Sequence, residues 1–281
     1  MSNHNQFGRR AIRHPSFVIG SALVCVLILA ASISIFWSPW PPADIDIPNK
    51  LAQPSRAHWF GTDSLGRDIA SQLLVGSQNS IIVGVIAVGI GLSLGVTLGL
   101  WAAAKGGWLE EFIMRAADFA FAFPALLLAI ILTAIYGPGL VISIIAIGIF
   151  NIPVFARITR GAAKSIWARE FIIAARAAGK GNFKITFDHV LPNIASALIV
   201  QATVQFAIAI LAEAALSYLG LGTQPPNPSW GRMLNEAQTQ LFQAPMLSVY
   251  PGVAIALAVL GLNLIGDGLR DLLDPRLARG R

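Results

Sequence analysis

Long apolar runs alternate with shorter polar segments along the whole chain. A helix that crosses the hydrocarbon core of a bilayer needs about 20 mostly apolar residues. Six runs meet this length, at residues 17–36, 80–104, 112–136, 140–158, 194–219 and 249–269. The third run is interrupted by Asp118 and Pro124. The pattern predicts an all-α integral membrane protein with about six transmembrane helices.

The composition supports this prediction. Apolar residues make up 55% of the chain and charged residues 12%, against about 25% charged residues in soluble domains. A soluble fold of this length could not bury so much apolar surface, so the excess must face lipid. The single cysteine, Cys25, excludes an intramolecular disulfide and a cysteine-based metal site. The four histidines lack ligand spacing, and we expect the chain itself to bind no metal or cofactor.

Positive charge is concentrated beside the apolar runs, and the net charge is +6. In a soluble protein this charge would suggest a nucleic-acid partner, but basic residues that flank apolar spans are typical of cytoplasmic loops. If the N-terminus is cytoplasmic, only four of the 20 Lys and Arg residues lie outside, namely Lys50, Arg56, Arg67 and Arg232. We therefore predict both termini in the cytoplasm and no nucleic-acid partner.

The first run could also be a secretory signal peptide, because a basic segment precedes it. Its core of about 20 residues is longer than a typical signal core of about 7–15, which favours a retained helix. The predicted organisation is a cytoplasmic segment (1–16), a first transmembrane helix (17–36), an outside loop (37–79) and a core of five transmembrane helices (80–281). The core includes an inside loop (160–190) and a second outside loop (220–248).

The first outside loop is expected to contain a short helix after the turn at residues 61–68. Thr62 or Asp63 could cap this helix. Ile69, Leu73 and Leu74 would suit a helix that lies on the membrane surface.

Three glycines in the second run, Gly91, Gly95 and Gly99, recur every four residues. This spacing places them on one helix face. A face without side chains lets another backbone approach closely, as helices do in lipid. We expect this face to pack against a neighbouring helix.

Acidic residues inside a membrane are costly and often functional. Asp118 and Asp267 each have an arginine three residues away, Arg115 and Arg270, so local ion pairs are expected. Glu213 has no basic residue within two turns.

Glu213 is therefore a candidate pathway or gating residue, unless a neighbouring helix or the outside loop satisfies it. Gln201 and Gln205 are further polar positions of the same run. Polar residues there serve packing as often as passage.

The inside loop has strong helix formers from 167 to 178, and Gly179 follows as a helix-ending glycine. Small residues at Ala174, Ala175 and Ala178 would allow close docking into a partner. Pro192 suits the first turn of the fifth transmembrane helix.

This loop resembles the coupling segment of ABC importer permeases, whose signature is Glu-Ala-Ala, three residues, Gly, a spacer and often Leu-Pro. Ala174, Ala175, Gly179, Leu191 and Pro192 match the signature. Ile173 stands where the family has glutamate, which puts any salt bridge of that glutamate in doubt. Further blocks are similar to the second permease of dipeptide, oligopeptide and nickel importers, at residues 60–68, 114–124, 212–222, 224–231 and 266–275.

The resemblance implies a type I ABC importer permease in the bacterial inner membrane. It further implies a homologous second permease, two ATPases and a periplasmic or lipid-anchored binding protein, besides membrane lipid. The ATPase-coupling residues would be Ala174, Ala175, Arg176, Ala178, Gly179, Leu191 and Pro192. The chain lacks the glycine-rich phosphate loop of ATPases. We therefore expect ATP and Mg²⁺ to bind to the partner ATPases, and we expect this chain to catalyse no reaction. The implied cargo is a di- or oligopeptide, or alternatively nickel, another chelated metal or a small solute.

Two other classes of protein fit less well. An ion-coupled secondary transporter usually shows broken helices in two repeats and intramembrane ion ligands. A membrane-embedded enzyme would need paired acids, an activated nucleophile or a histidine-rich metal site. His189 stands alone in the basic loop, which is typical of a solvated residue.

Overall fold

The computed structural model describes residues 11–273, and its regular structure is helical. In chain order the helices are α1 (Pro15–Phe36), α2 (Ile69–Lys105), α3 (Gly107–Ala122), α4 (Ala125–Tyr136), α5 (Leu140–Trp167), α6 (Glu170–Ala177), α7 (Asn182–Tyr218), α8 (Trp230–Ala237) and α9 (Met246–Leu273). The described residues contain no strand, only one isolated bridge between Thr62 and Asp68.

Five of these helices, α1, α2, α5, α7 and α9, are long and apolar enough to cross a membrane. A sixth crossing is formed if α3 and α4 count as one span, bent by 82° at Phe123–Pro124. The break lies at the proline because the residue before a proline is disfavoured in helical conformation. The predicted all-α fold with about six transmembrane helices is confirmed.

The segments between α1 and α2 and between α7 and α9 lie at one end of the bundle, which we call the loop face. The opposite end carries α6, and we call it the α6 face. Helix α1 packs against α9 and α2, while α7 lies between α9 and α5.

Helix α2 begins at Ile69, well before residue 80, so the expected short surface helix is wrong. Its residues are the first turns of α2. The N-cap is Asp68, which accepts a hydrogen bond from the Ser71 amide (2.8 Å), rather than Thr62 or Asp63. The hydropathy pattern places the start of this helix too late, because the polar side chains of its first turns, such as Gln72, are buried by the loop face.

Helices α5 and α7 also extend beyond the predicted runs. Helix α7 already begins at Asn182 and passes through a π-helical turn at Thr186–Val190. Pro192 lies in the first turn of the α-helical segment that follows the π-turn, as the sequence predicts, although α7 as a whole already begins at Asn182. The wider turn before it accommodates a residue that cannot donate a backbone hydrogen bond.

The backbones of α2 and α5 approach each other closely along the glycine face. A Cβ added to Gly95 would lie 2.5 Å from the carbonyl oxygen of Ile152, and one added to Gly99 would lie 2.6 Å from that of Ala156. At Gly91 the added atom would meet the side chain of Asn151 at 2.5 Å. None of these positions has room for a side chain.

Gly91–Gly95 forms a π-helical turn, and Asn151 of α5 donates a hydrogen bond from Nδ2 to the carbonyl oxygen of Ala87 at that turn (3.3 Å). Asn151 is buried. A π-turn disturbs the regular backbone hydrogen bonds, and the asparagine supplies a donor there, where lipid offers none.

Replacing Gly95 with valine should destabilise the protein by about 1–3 kcal/mol or more, because the side chain would overpack the α2–α5 contact. Unfolding of the purified protein in detergent micelles measures the loss. Gly89→Val is the matched control, since an added Cβ there meets no atom within 4 Å and should change stability by less than about 0.5 kcal/mol. Equal stability of the two variants would contradict the packing argument.

Candidate functional site

The connection between α5 and α7 is a short helix with a glycine stop. Gly179 has a φ of 81°, which favours glycine. Its amide donates to the carbonyl oxygen of Arg176 (2.9 Å), and the Lys180 amide donates to that of Ala175 (3.1 Å). This pair of bonds is a Schellman motif. Gly179 thus ends α6, although the helix begins at Glu170 rather than at 167.

Helix α6 is held against the bundle by the buried Ile172 and the half-buried Ala175. Ile172 is fully buried and packs in a cluster with Ile185, Val190 and Leu100. Because these residues come from α6, α7 and α2, the cluster fixes α6 to two transmembrane helices.

The outward side of this region is apolar and exposed. Ile173 is 62% exposed, Phe183 78%, and Phe171 and Phe187 about half. The rings of Phe183 and Phe187 lie 4.7 Å apart. Together with the exposed Ala174 these side chains form what we call the apolar patch.

The remaining predicted coupling residues surround the apolar patch. Ala178 and Pro192 are exposed, while Ala175 and Leu191 are half-buried. The guanidinium group of Arg176 lies 4.9 Å from the ring centre of Trp167.

No sequence motif assigns a role to Phe183 and Phe187. Aromatic residues four apart in a basic loop were the available signal, since they fall on one helix face.

The acids near the α6 face pair differently from the prediction. Asp118 pairs with Arg157 of α5, and Arg115 pairs with Glu111 (3.2 Å), so the expected Asp118–Arg115 pair is wrong. Helix α3 directs Asp118 towards α5, and Glu111 lies one turn before Arg115, where i,i+4 pairs meet.

The expected pair of Asp267 and Arg270 does not form either. In the last turns of α9, Oδ2 of the neighbouring acid Asp271 lies 3.2 Å from Nε2 of His14, which precedes α1. The contact joins the first and last spanning helices at the α6 face.

Glu110 ties α3 to α5. It accepts hydrogen bonds from Nε of Arg160 and Nζ of Lys164, both at 2.6 Å. The carboxylate is 11% exposed. Arg160 and Lys164 follow Glu110 by 50 and 54 positions in sequence. No sequence spacing indicates a pair at such a separation.

Glu213 is fully buried near the end of α7. The hydroxyl of Ser217 donates to its Oε1 (2.6 Å), and that of Thr223 does so from the following segment (3.2 Å). Ser217 in turn accepts from the Thr223 amide (2.9 Å). Glu213 therefore fastens the segment after α7 to the helix.

Gln205 is buried and Gln201 half-buried on the same helix. Neither forms a side-chain hydrogen bond with Glu213 within the described chain, so the structure does not join the three into one site.

At the loop face, Arg67 connects two segments that are far apart in sequence. Its Nε donates to Asp63 Oδ2 (2.7 Å), and its guanidinium also pairs with Glu236 of α8. Arg232 donates to the same Glu236 (2.8 Å). We call these four residues the clasp. Burial disfavours the charge of Arg67, yet Asp63 and Glu236 raise the pKa of its guanidinium above the ordinary value.

Two further hydrogen bonds reinforce this junction. The indole of Trp230 donates to the carbonyl oxygen of Leu73 (3.0 Å), and Asn79 donates to that of Pro228 (2.7 Å). Helix α8 is therefore docked on the first turns of α2.

Comparison with known proteins decides the family. The model of the family described as binding-protein-dependent transport system inner membrane component matches residues 95–279. The chain belongs to this family. It is thus a multi-pass membrane component of a transport system rather than a catalytic subunit, and the resemblance to ABC importer permeases is confirmed.

Similarity to known transport proteins extends over nearly the whole permease. The glutathione transport system permease protein of Pectobacterium atrosepticum is 42% identical over 273 residues, which is 97% of this chain and 91% of that protein. The dipeptide transport system permease protein of Alkalihalophilus pseudofirmus is 45% identical over 260 residues, 92% of this chain and 86% of that protein.

A solved structure shares the fold. A chain of the MetNI methionine ABC transporter, in inward-facing conformations, matches with a TM-score of 0.59 at 18% identity. The match covers 72% of this permease and 97% of that chain.

Replacing Arg67 with methionine should loosen the loop face, because Asp63 and Glu236 would lose their shared cation. Removing one partner of a buried ion pair costs about 3–5 kcal/mol, an upper bound here since the Glu236 side chain is 28% exposed. Hydrogen exchange should rise in residues 46–68 and in α8.

The control is Arg115→Met, because the Arg115–Glu111 pair is exposed and should contribute less than about 1 kcal/mol. Unchanged exchange at the loop face in Arg67→Met would refute the role of the clasp.

Proposed function

We propose that this permease carries small peptides, of the di- or oligopeptide class, across the inner membrane in an ATP-driven importer. The observation that carries the proposal is the match to permeases named for dipeptide and glutathione transport over more than nine-tenths of the chain. Import of nickel, another chelated metal or a small solute is the alternative, and none of the relatives compared above is named for nickel.

The proposed machine contains a second homologous permease, two ATPases and a periplasmic or lipid-anchored binding protein. ATP and Mg²⁺ would bind to the ATPases, and this chain would hold no cofactor. With α3 and α4 counted as one span, the chain crosses the membrane six times, which leaves both ends of the described chain on the same side. We assign that side, the α6 face, to the cytoplasm, in keeping with its basic residues.

The apolar patch is the proposed docking surface for one ATPase. It combines exposed aromatic side chains with the small Ala174 of α6, a helix fixed by the buried Ile172, and the exposed Ala178 borders it. Aromatic anchors that fill pockets supply much of the affinity in protein interfaces. Because Ile172 anchors α6 to the bundle, a displacement of α6 by the ATPase would reach α2 and α7 directly.

Glu213 is proposed to act in gating at the loop face, by holding the segment after α7 in place. Gln201 and Gln205, nearer the α6 face on the same helix, are proposed to lie along the pathway. The family's glutamate position is Ile173 here, and its exposure supports a contact with the ATPase that is apolar rather than ionic.

Uptake by the complete complex tests the substrate class. Vesicles containing both permeases, both ATPases and the binding protein would be loaded with ATP and given a radiolabelled dipeptide. Accumulation that unlabelled peptides abolish, and that free amino acids and nickel leave unchanged, supports peptide import. Accumulation of nickel without peptide would establish the alternative instead.

Replacing Gly179 with valine should uncouple ATP hydrolysis from uptake. Holding a non-glycine residue at positive φ costs about 1–3 kcal/mol, so the end of α6 should rearrange. Since 1.4 kcal/mol corresponds to a factor of about ten, peptide uptake per ATP hydrolysed should fall about tenfold or more.

The matched control is Gly181→Val, because Gly181 has a φ of −72° and open space beside it. Both variants should still copurify with the ATPases. Normal coupling in Gly179→Val would refute the role of this glycine stop.

A further inference from the structure

An apolar crevice of about 290 Å³ lies between α1, α2 and α9, below the loop face. Its walls include Leu27 and Ala30 of α1, Leu73 of α2 and Ala254 of α9. This crevice contains no residue of the apolar patch or of the clasp, and the proposed function gives it no role.

The crevice offers water no free side-chain donor. The Ser77 hydroxyl, which lines it, already donates to the carbonyl oxygen of Leu74 (2.5 Å), and the indole of Trp230 donates to that of Leu73 (3.0 Å). A cavity lined by apolar groups stays dry, so its natural occupant is an apolar molecule.

Aromatic residues close the crevice towards the loop face. Trp59 and Phe60 line it and pack on Trp37 at the end of α1 (ring centres 6.2 Å apart) and on Tyr250 of α9 (5.0 Å). Tryptophan and tyrosine collect at the membrane–water interface. The walls therefore lie in the hydrocarbon layer, with Ala30 about 9 Å below the end of α1 at 1.5 Å per residue.

The crevice opens sideways onto lipid. Val26 and Leu257 belong to its lining and are 65% and 45% exposed. They continue into the exposed apolar faces of α1 and α9, which include Leu29 and Val253. A hydrocarbon chain is much narrower than a helix of a partner protein, which is about 10 Å across, and suits a crevice of about 290 Å³ better.

We propose that this crevice binds one acyl chain of a membrane phospholipid, with the headgroup at the level of Trp37 and Trp59. The acyl chain would fill the gap between α1 and α9 on the loop-face side of the membrane. This site is independent of which cargo the permease carries.

Photolabelling tests the site. The complete importer would be reconstituted in phosphatidylcholine vesicles containing a phosphatidylcholine with a diazirine midway along one acyl chain. After irradiation, mass spectrometry should find labelling enriched on residues 23–30 and 254–258. Ala254→Trp should reduce this labelling about tenfold, the effect of removing about 1.4 kcal/mol of binding free energy.

The matched control is Ala256→Trp, because Ala256 is exposed on the same helix and does not line the crevice. It should leave the labelling unchanged. If Ala254→Trp fails to assemble, Ala30→Trp replaces it, with the exposed Ala22→Trp as its control.

The proposal would be overturned if labelling were equal around the whole circumference of α1 and did not change in Ala254→Trp. That result would show only contact with bulk lipid. Labelling excluded from the crevice, with cross-links from residues 23–30 to the second permease, would also overturn it by showing that a protein covers this face.

Discussion

The structure depends on the close contact between the backbones of α2 and α5. Gly91, Gly95 and Gly99 leave no room for side chains there, and dispersion contacts gain from that proximity. In lipid no hydrophobic force drives helices together, so such packing has to supply the association. Helix α2 begins at the clasp and α5 leads into α6. Their contact therefore joins the two faces of the permease into one mechanical unit.

The irregular segments of the loop face and the short helix α6 are held in place by different interactions. At the loop face, the clasp and the buried Glu213 hold irregular segments by ionic and polar contacts, which suits chain that lies beside water. At the α6 face, Ile172 fixes a short helix by apolar packing and leaves other apolar side chains exposed. An exposed apolar surface on a membrane protein's aqueous side indicates a protein partner, which is why the two faces differ in their proposed roles.

Six apolar runs, the glycine face and the helix ended by Gly179 could be predicted from the sequence because each is a local pattern. Helix ends could not: α2 starts at Ile69 because the loop face buries polar side chains such as Gln72, which hydropathy counts as exposed. The pairs Asp118–Arg157 and Glu110–Arg160 also escaped prediction, since they join α3 to α5 over 39 and 50 positions of sequence. Proximity in sequence favours Arg115 as the partner of Asp118, but the fold brings Arg157 of α5 there instead.

Helix α7 provides a continuous connection between the proposed ATPase contact and the loop face. It runs unbroken from Asn182, beside the apolar patch, to the region of Glu213. Its π-helical turn and Pro192 lie close to α6, and both interrupt the regular pattern of backbone hydrogen bonds. The helix above this turn is regular up to Tyr218. A push on α6 would thus change the tilt of α7 at the π-turn. The regular helix beyond the turn would transmit this change to the segment that Glu213 fastens.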